Sequence, residues 1–592
     1  MNKIRVTYSK GKAKNKKHTL KRLWDYIYRF RFLFIMAFIL NIISNVLTLI
    51  GPYVIGKIID VIKEGASTSI NFAIIYRYAI LMAISYLLSA IISLFTSLLM
   101  IKISKKIVYA MRHDAYEKLL DLPIAYFDTN QTGDIISRMS YDIDTVNTSL
   151  STDLIQVCTS VITIVGSFIM MLVESPILVL VFVITLPVAF LFTNIMVKKT
   201  SKYFKARSKS LGELNGFMEE MITGSKTIKT YGKEQAIIEN FDECNVRAAK
   251  ATYMAEYYSA YTGPGVNFVN NFSLSLICLF GAILYKLEYI LLGTISSFSL
   301  YSRKFLGPIN EVANIITDLQ SSLAAAERVF ELIDEEKEPA DLIEAHNIDE
   351  VIGNVSFNNV YFGYQPDKMI LKDVSFLAKA GKVIAIVGPT GAGKTTIVNL
   401  LMRFYEVNEG IITLDNEPVD LIKRSDVRKS YAMVLQETWL FDGSIYDNLT
   451  YGNKNATKEE VEKVLEKARL SSFLNQLPNG YDTIIKDGGS NISKGQKQLL
   501  TIARAMLLNA NMLILDEATS NVDTRTEIKI QEAMKELMKD KTTFIIAHRL
   551  STIQNADLIL VVKDGNIIEQ GNHQQLLKQH GFYYELYNSQ FK

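Results

Sequence analysis

Long stretches without a charged residue constrain this chain more than any other feature. Phe32–Gly56, Tyr78–Ile101, Leu154–Val173, Ser175–Val197 and Tyr257–Tyr285 are each uncharged over at least 20 residues. A helix of that length crosses roughly 30 Å of hydrocarbon. A sixth span is weaker. Tyr289–Ser302 is uncharged, Arg303 and Lys304 interrupt it, and the apolar pattern resumes through Phe305, Leu306, Ile309 and Val312. Five such runs in one half of a chain argue against the buried helices of a soluble core. If the sixth helix starts near Gly293, Arg303 and Lys304 lie about 15 Å along it, near mid-membrane. Charges at that depth are costly and usually face a cavity. The pair therefore reads as a contact for an anionic substrate or a gating ion pair, or else as side chains snorkelling to an interface.

The segments between the spans give an orientation. Lys102–Asp153 and Lys198–Glu256, after spans two and four, are long, rich in Lys and Arg, and keep helical spacing. The charge-bias rule puts them and the N-terminus in the cytoplasm. Each can form two helices that run beyond the bilayer and turn back, at Leu122–Asp128 with Thr132–Asp134 and at Glu219–Gly224. Residues 1–18 are a basic tail. Leu20, Leu23, Trp24, Ile27 and Tyr28 then fall on one helical face, opposite Lys21, Arg22 and Asp25, which suits a helix lying in the membrane interface. Total charge is nearly balanced, with 64 Lys+Arg against 61 Asp+Glu. That balance argues against a nucleic-acid partner and leaves the lipid bilayer as the obvious one. Cys158, Cys244 and Cys278 lack disulfide or metal-ligand spacing and read as packing residues. The first apolar run is too long for a signal-peptide core, so no cleavable leader is expected.

The second half changes character. Past a charged linker at 334–350, short apolar strands alternate with helical stretches from 351 to 592, as in an α/β nucleotide-binding domain. Gly388-Pro389-Thr390-Gly391-Ala392-Gly393-Lys394-Thr395 has the form G-x-x-x-x-G-K-[ST]. It follows the apolar strand Val383–Val387 and precedes a helical stretch beginning at Thr396, the context this phosphate-cradling loop needs. Glycines let the backbone aim its N–H groups at one phosphate, and the helix N-terminus adds its positive dipole end. Lys394 is expected to reach the β- and γ-phosphates and Thr395 to ligate Mg2+. A second strand, Met512–Leu515, ends in Asp516-Glu517. Asp516 can hold Mg2+ through water and Glu517 can polarise the attacking water.

These motifs resemble those of the ATP-binding-cassette (ABC) transporter family. Asn491-Ile492-Ser493-Lys494-Gly495-Gln496 looks like its signature loop, and Ser520–Asp523 like its D-loop. His548 matches the switch histidine, Gln436 the glutamine loop, and Tyr364 the aromatic that stacks on adenine. In the membrane half, Tyr126-Phe127-Asp128, Thr132-Gly133-Asp134, Glu219-Glu220 and Ala326–Phe330 look like the six-span exporter type. The resemblance implies a six-helix transmembrane domain (19–333) followed by an α/β P-loop ATPase domain. It implies ATP and Mg2+ as ligands. Tyr364, the loop from Gly388 to Thr396 and Asp516 would hold nucleotide, with Thr395, Gln436 and Asp516 serving the metal and Glu517 and His548 acting catalytically. Ser493, Lys494, Gly495 and Gln496 would cap the γ-phosphate of a second chain. One unit of each kind makes a half-transporter, whose partner is another ABC half-transporter.

Lys494 departs from the family, whose signature has glycine there. The side chain adds bulk and charge and restricts a backbone that glycine leaves free. Such a variant signature beside an intact Glu517 and His548 favours a heterodimer over a homodimer. The resulting expectation is an ATPase in the plasma membrane, with its nucleotide-binding domain in the cytoplasm, that exports a small amphipathic substrate. The alternatives are a nucleotide-gated or regulatory membrane protein with little pumping, and an importer on this fold. Intact Glu517 and His548 favour turnover over gating.

Overall fold

A computed structural model describes residues 15–66, 69–348, 350–365, 367–436, 438–516, 523–546 and 553–591. Glu517, His548, residues 520–522 of the D-loop and the first 14 residues lie outside these. The chain forms two compact units. One comprises Met1–Leu120 and Gln131–Glu335, the other Asp121–Asn130 and Glu336–Lys592.

The first unit is helical throughout. It contains α1 (Lys16–Tyr28), α2 (Arg31–Gly65), α3 (Phe72–Leu120), α5 (Thr132–Ser137), α6 (Ile143–Thr148), α7 (Leu154–Glu174), α8 (Pro176–Thr223), α9 (Ser225–Thr230), α10 (Glu234–Ala260), α11 (Thr262–Lys286) and α12 (Leu292–Asp334), while α4 (Ile124–Thr129) belongs to the second unit. Among the described residues four helical stretches are long and apolar enough to cross a membrane: Arg31–Gly65, Phe72–Leu120, Thr132–Glu174 and Glu234–Lys286. Two further long helices, α8 and α12, complete the set of six. With 49 residues, α3 extends about 73 Å, over twice the hydrocarbon thickness. Its basic end therefore continues as helix well past any bilayer. Between α7 and α8 only Ser175 intervenes. Its hydroxyl accepts from Leu178 N at 3.3 Å, and Pro176 starts α8, where a missing N–H costs nothing.

Polar side chains inside this unit find partners, as hydrocarbon requires. Thr159 donates to Asn41 Oδ1 at 3.0 Å and Thr163 to Asn45 Oδ1 at 3.2 Å. Backbones touch where α2 meets α12, since a Cβ on Gly293 would lie 2.0 Å from Gly56 O. Just beyond, Gly293 N donates to Asp60 Oδ1 at 2.7 Å, which caps α12. Pro52 lies inside α2 and leaves Thr48 O without its helical donor. Lys304 supplies one: its Nζ donates to Thr48 O at 2.7 Å, while Tyr301 donates to Leu49 O at 2.6 Å. No carboxylate meets Arg303 or Lys304 among the described residues, so the expected gating ion pair is not found there. Lys304 instead mends a proline break in the neighbouring helix.

Two π-helical turns, Arg138–Asp142 and Ser149–Asp153, interrupt the helical run from α5 to α7. Such bulges re-aim side chains. Asp142, in the first, has a side chain only 2% exposed. Arg328 of α12 grips it with Nε to Oδ2 at 2.7 Å and Nη2 to Oδ1. The Ala326–Phe330 motif thus locks the last helix to the arm that returns from the first cytoplasmic turn.

The second unit is α/β. A four-stranded antiparallel sheet runs β2 (Leu371–Ala378), β1 (Val355–Phe362), β4 (Glu409–Leu414), β5 (Glu417–Pro418). A six-stranded sheet runs β12 (Asn566–Gly571), β11 (Leu558–Lys563), β3 (Val383–Val387), β10 (Thr542–Ile546), β9 (Met512–Asp516), β6 (Tyr431–Val434); all but β12 pair in parallel. A small hairpin joins β7 (Gly443–Ser444) to β8 (Ile484–Ile485). The helices that matter to the site are α13 (Lys394–Leu401) and α18 (Lys494–Leu508). Between them lie α14 (Arg424–Lys429), α15 (Ile445–Leu449), α16 (Lys458–Lys467) and α17 (Ser471–Leu474). Successive residues of the central strands enter opposite cores. Ala385, Val387, Leu513 and Leu515 pack with α18, whereas Ile384, Ile386, Met512 and Ile514 pack with α13 and the antiparallel sheet. Burial on both faces is why these strands read as unbroken apolar runs.

Candidate functional site

Ligands of open parallel sheets bind outside the carboxyl ends of the strands. Four chemistry-bearing segments leave this sheet at that edge. Ile386 of β3 pairs with Ile546 of β10, Ile546 with Asp516 of β9, and Leu515 with Val434 of β6. The phosphate loop, Asp516 and the Leu435-Gln436 segment therefore start level with one another. In sequence, Glu517 follows Asp516 directly and His548 comes two residues after Ile546.

The loop is built on glycine where nothing else fits. Gly391 and Gly393 have φ of +83° and +108°. A Cβ on Gly388 would lie 2.1 Å from Val562 O, and one on Gly393 would lie 2.7 Å from Leu371 Cδ2. Gly393 is the N-cap of α13, and no side chain caps that helix. Its first N–H groups have no intrahelical acceptor, and the helix dipole adds positive potential at the same point. Lys394 is almost buried, and its Nζ donates to Gly388 O and Pro389 O, both at 2.9 Å. Burial lowers its pKa, and the nearby Asp516 carboxylate opposes that shift. Thr395 is exposed at the first turn while Thr396 and Ala392 are buried. A hydroxyl and a carboxylate are the hard oxygen donors that suit Mg2+, so Thr395 and Asp516 fit the metal by donor type.

Tyr364 follows β1. Its hydroxyl donates to Thr396 Oγ1 at 3.3 Å and accepts from Asn399 Nδ2 at 3.0 Å. Edge contacts to Phe362 and Tyr405, with ring centres 5.0 and 4.9 Å apart, hold the ring. Asp128, from the first cytoplasmic turn, belongs to this unit and accepts from the Tyr405 hydroxyl at 2.5 Å. Burial and that carboxylate raise the Tyr405 pKa. Sequence reading missed Tyr405, because its partner lies 277 positions away and leaves no local signal. Gln436 is exposed just beyond β6.

The signature segment is ordered by its own chain. Ser493 caps α18: its hydroxyl accepts from Gln496 N at 3.3 Å, and its N–H donates to Gln496 Oε1 at 2.9 Å. Gly495 is buried and Lys494 exposed, as the first residue of the helix. Lys494 is not among the residues with positive φ. The expectation that lysine strains this backbone is therefore corrected: an ordinary helical conformation accepts any L side chain. Bulk and charge remain as the difference from glycine.

A phosphate loop and an acidic strand end on a parallel sheet, joined to a long-helix membrane unit, define an ATP-driven integral membrane transporter. Residues 34–309 match the family model described as "ABC transporter transmembrane region", and residues 371–520 match that described as "ABC transporter". The chain is 42% identical to the "Uncharacterized ABC transporter ATP-binding protein YfiC" of Bacillus subtilis over 98% of its own length and 96% of that protein's. It is 41% identical to the "Fatty acid ABC transporter ATP-binding/permease protein" of Mycobacterium bovis, covering 87% of this chain and 82% of that one. A bacterial Atm1-family ABC exporter solved with ATP bound superposes with a TM-score of 0.75 at 25% identity, covering 95% and 98% of the two chains. The chain belongs to the ABC transporter family and has the exporter fold. It binds ATP and couples hydrolysis to transport.

Proposed function

We propose that this protein exports a lipid-like amphiphile, with fatty acids as the first class to test. The observation that carries the substrate class is the similarity to a fatty-acid transporter over 87% of the chain. Apolar, aromatic-rich spans are compatible with it. In this reading the protein sits in the plasma membrane with the nucleotide-binding unit in the cytoplasm.

The proposed division of labour follows the site. Tyr364 stacks on adenine. The N–H groups of Gly388–Thr396 and the Lys394 ammonium hold the phosphates, the ammonium exchanging loop carbonyls for phosphate oxygens. Thr395, Gln436 and Asp516 would hold Mg2+, which bridges phosphate oxygens and neutralises developing charge when bound. Glu517 orients or deprotonates water, and His548 contacts the γ-phosphate. Ser493, Lys494, Gly495 and Gln496 face the nucleotide of a partner chain. Lys494 favours a heterodimer in which the partner supplies a glycine signature to this chain's site, while the site using Lys494 hydrolyses slowly.

The test is ATP-dependent uptake of labelled fatty acid into inside-out vesicles, with Glu517→Gln as control. Uptake abolished by Glu517→Gln supports the reading. Vigorous ATPase without uptake of any acyl amphiphile refutes the substrate class. Robust hydrolysis by the purified chain alone would refute the heterodimer.

A further inference from the structure

A crevice in the membrane unit lies between α2, α3 and α7. Phe34, Phe38, Met100 and Cys158 form its walls, with Thr96 and Asn41 as its polar members. Asn41 is only 7% exposed. Its Oδ1 is used twice, accepting from Thr159 Oγ1 at 3.0 Å and from Asn45 Nδ2 at 2.8 Å. Its Nδ2 has no partner among the described residues. Thr96 gives its own hydroxyl hydrogen to Ile92 O at 2.9 Å. What the crevice presents beyond hydrocarbon is thus a pair of unused amide hydrogens, and an occupant must bring an acceptor.

Depth narrows the occupant further. Lys102 is the nearest charge to Thr96 along α3, and Asp153 immediately precedes α7. Thr96, and Thr159 beside Asn41, are each six residues inside those charges, or about 9 Å of helix. The polar layer on each side of the hydrocarbon core is about 5–8 Å thick. Asn41 therefore sits where headgroup gives way to acyl chain, the level of ester carbonyls and carboxyl groups. A peptide or sugar would leave its other polar groups unpaired here.

We propose that this crevice is a binding site for the carboxyl-proximal part of an acyl chain. The acyl oxygen accepts from Asn41 Nδ2, and the first methylenes lie against Phe34, Phe38 and Met100. A free fatty acid and an ester phospholipid share this chemistry. The proposal goes beyond the transport reading. Occupancy needs no ATP, so it can fail while transport stands, and the converse.

Cys158 lines the crevice and reports its occupancy. With Cys244→Ser and Cys278→Ser, the full chain is reconstituted in nanodiscs of ether-linked phospholipid, which lacks acyl carbonyls. The rate of N-ethylmaleimide addition to Cys158 is followed by mass spectrometry. Oleate is expected to slow labelling at least threefold, and ester-linked nanodiscs to slow it without oleate if phospholipid is the occupant. Asn41→Asp keeps the acceptor for Thr159 and removes the amide hydrogens, so it should abolish protection. Thr159→Val breaks the same internal bond and spares those hydrogens, so it should retain protection. Equal labelling in every lipid, with and without oleate, overturns the proposal. So does equal loss of protection in both variants, which would make Asn41 a packing residue only. If Asn41→Asp does not fold, the ether, ester and oleate comparison on the unmodified Asn41 still decides.

Discussion

Two helices of the nucleotide-binding unit begin in opposite ways. At α13 the N-cap is Gly393, left-handed and without a capping side chain. At α18 the N-cap is Ser493, closed into a reciprocal box with Gln496. A capping side chain stabilises a helix by about 1 kcal/mol. The phosphate loop forgoes that stabilisation and keeps its N–H groups for a ligand. The signature helix satisfies two donors internally, so its serine hydroxyl and N–H already have partners. One start is an anion site within this chain. The other is a finished helix terminus that must share or release its cap to serve a nucleotide on another chain.

The largest effect should come from the open start. Lys394→Met removes the ammonium and preserves most of the side chain's bulk. Phosphate release by the reconstituted full transporter should fall at least about 100-fold, the scale for losing one charge-stabilising donor. A loss under threefold would mean that Lys394 serves its own loop carbonyls and not phosphate. Gly393→Ala tests the same start through stability. Its φ of +108° and the 2.7 Å approach to Leu371 Cδ2 should cost about 1–3 kcal/mol, read as a lowered Tm. By contrast Ser493→Ala removes only a cap, about 1 kcal/mol. A Ser493→Ala loss equal to that of Gly393→Ala would erase the distinction between the two termini.

Lys494→Gly comes next. Strain is not at issue, because the backbone there is ordinary. Restoring glycine removes only bulk and charge, and it should raise phosphate release by the lone chain several-fold. An unchanged rate would show that Lys494 does not impair the site it faces, and the heterodimer reading would lose its support.

What the sequence made legible follows locality. The phosphate loop and its flanking strand and helix lie within about twenty consecutive residues, so their pattern carries their geometry. Five spans announce themselves by the absence of charge. The sixth is masked by Arg303 and Lys304. Lys304 is intelligible only beside Thr48, 256 positions away, whose carbonyl Pro52 leaves free. The Tyr405–Asp128 bond and the Arg328–Asp142 pair are equally remote in sequence, and no periodicity encodes them. At Lys494 the sequence signalled an anomaly and misassigned its cause. Substitution by lysine suggested backbone strain, yet Ser493 and Gln496 hold an ordinary helix start around it.

The finest test of the contrast is Gln496→Ala. Gln496 Oε1 accepts from Ser493 N at 2.9 Å, so the variant opens the box and leaves the serine hydroxyl in place. Half a capping box is worth a few tenths of a kcal/mol to about 1 kcal/mol. For a unit this size that lowers Tm by roughly 1–4 °C. If nucleotide on a partner chain takes over the cap, the box is already open in the ATP-bound transporter and the variant has less left to lose. The loss of Tm caused by Gln496→Ala should then shrink when Mg-ATP is added in a hydrolysis-deficient Glu517→Gln background. A loss that persists unchanged would mean the signature helix keeps its internal cap with nucleotide present, and that the γ-phosphate is met by the remaining N–H groups and the Lys494 side chain.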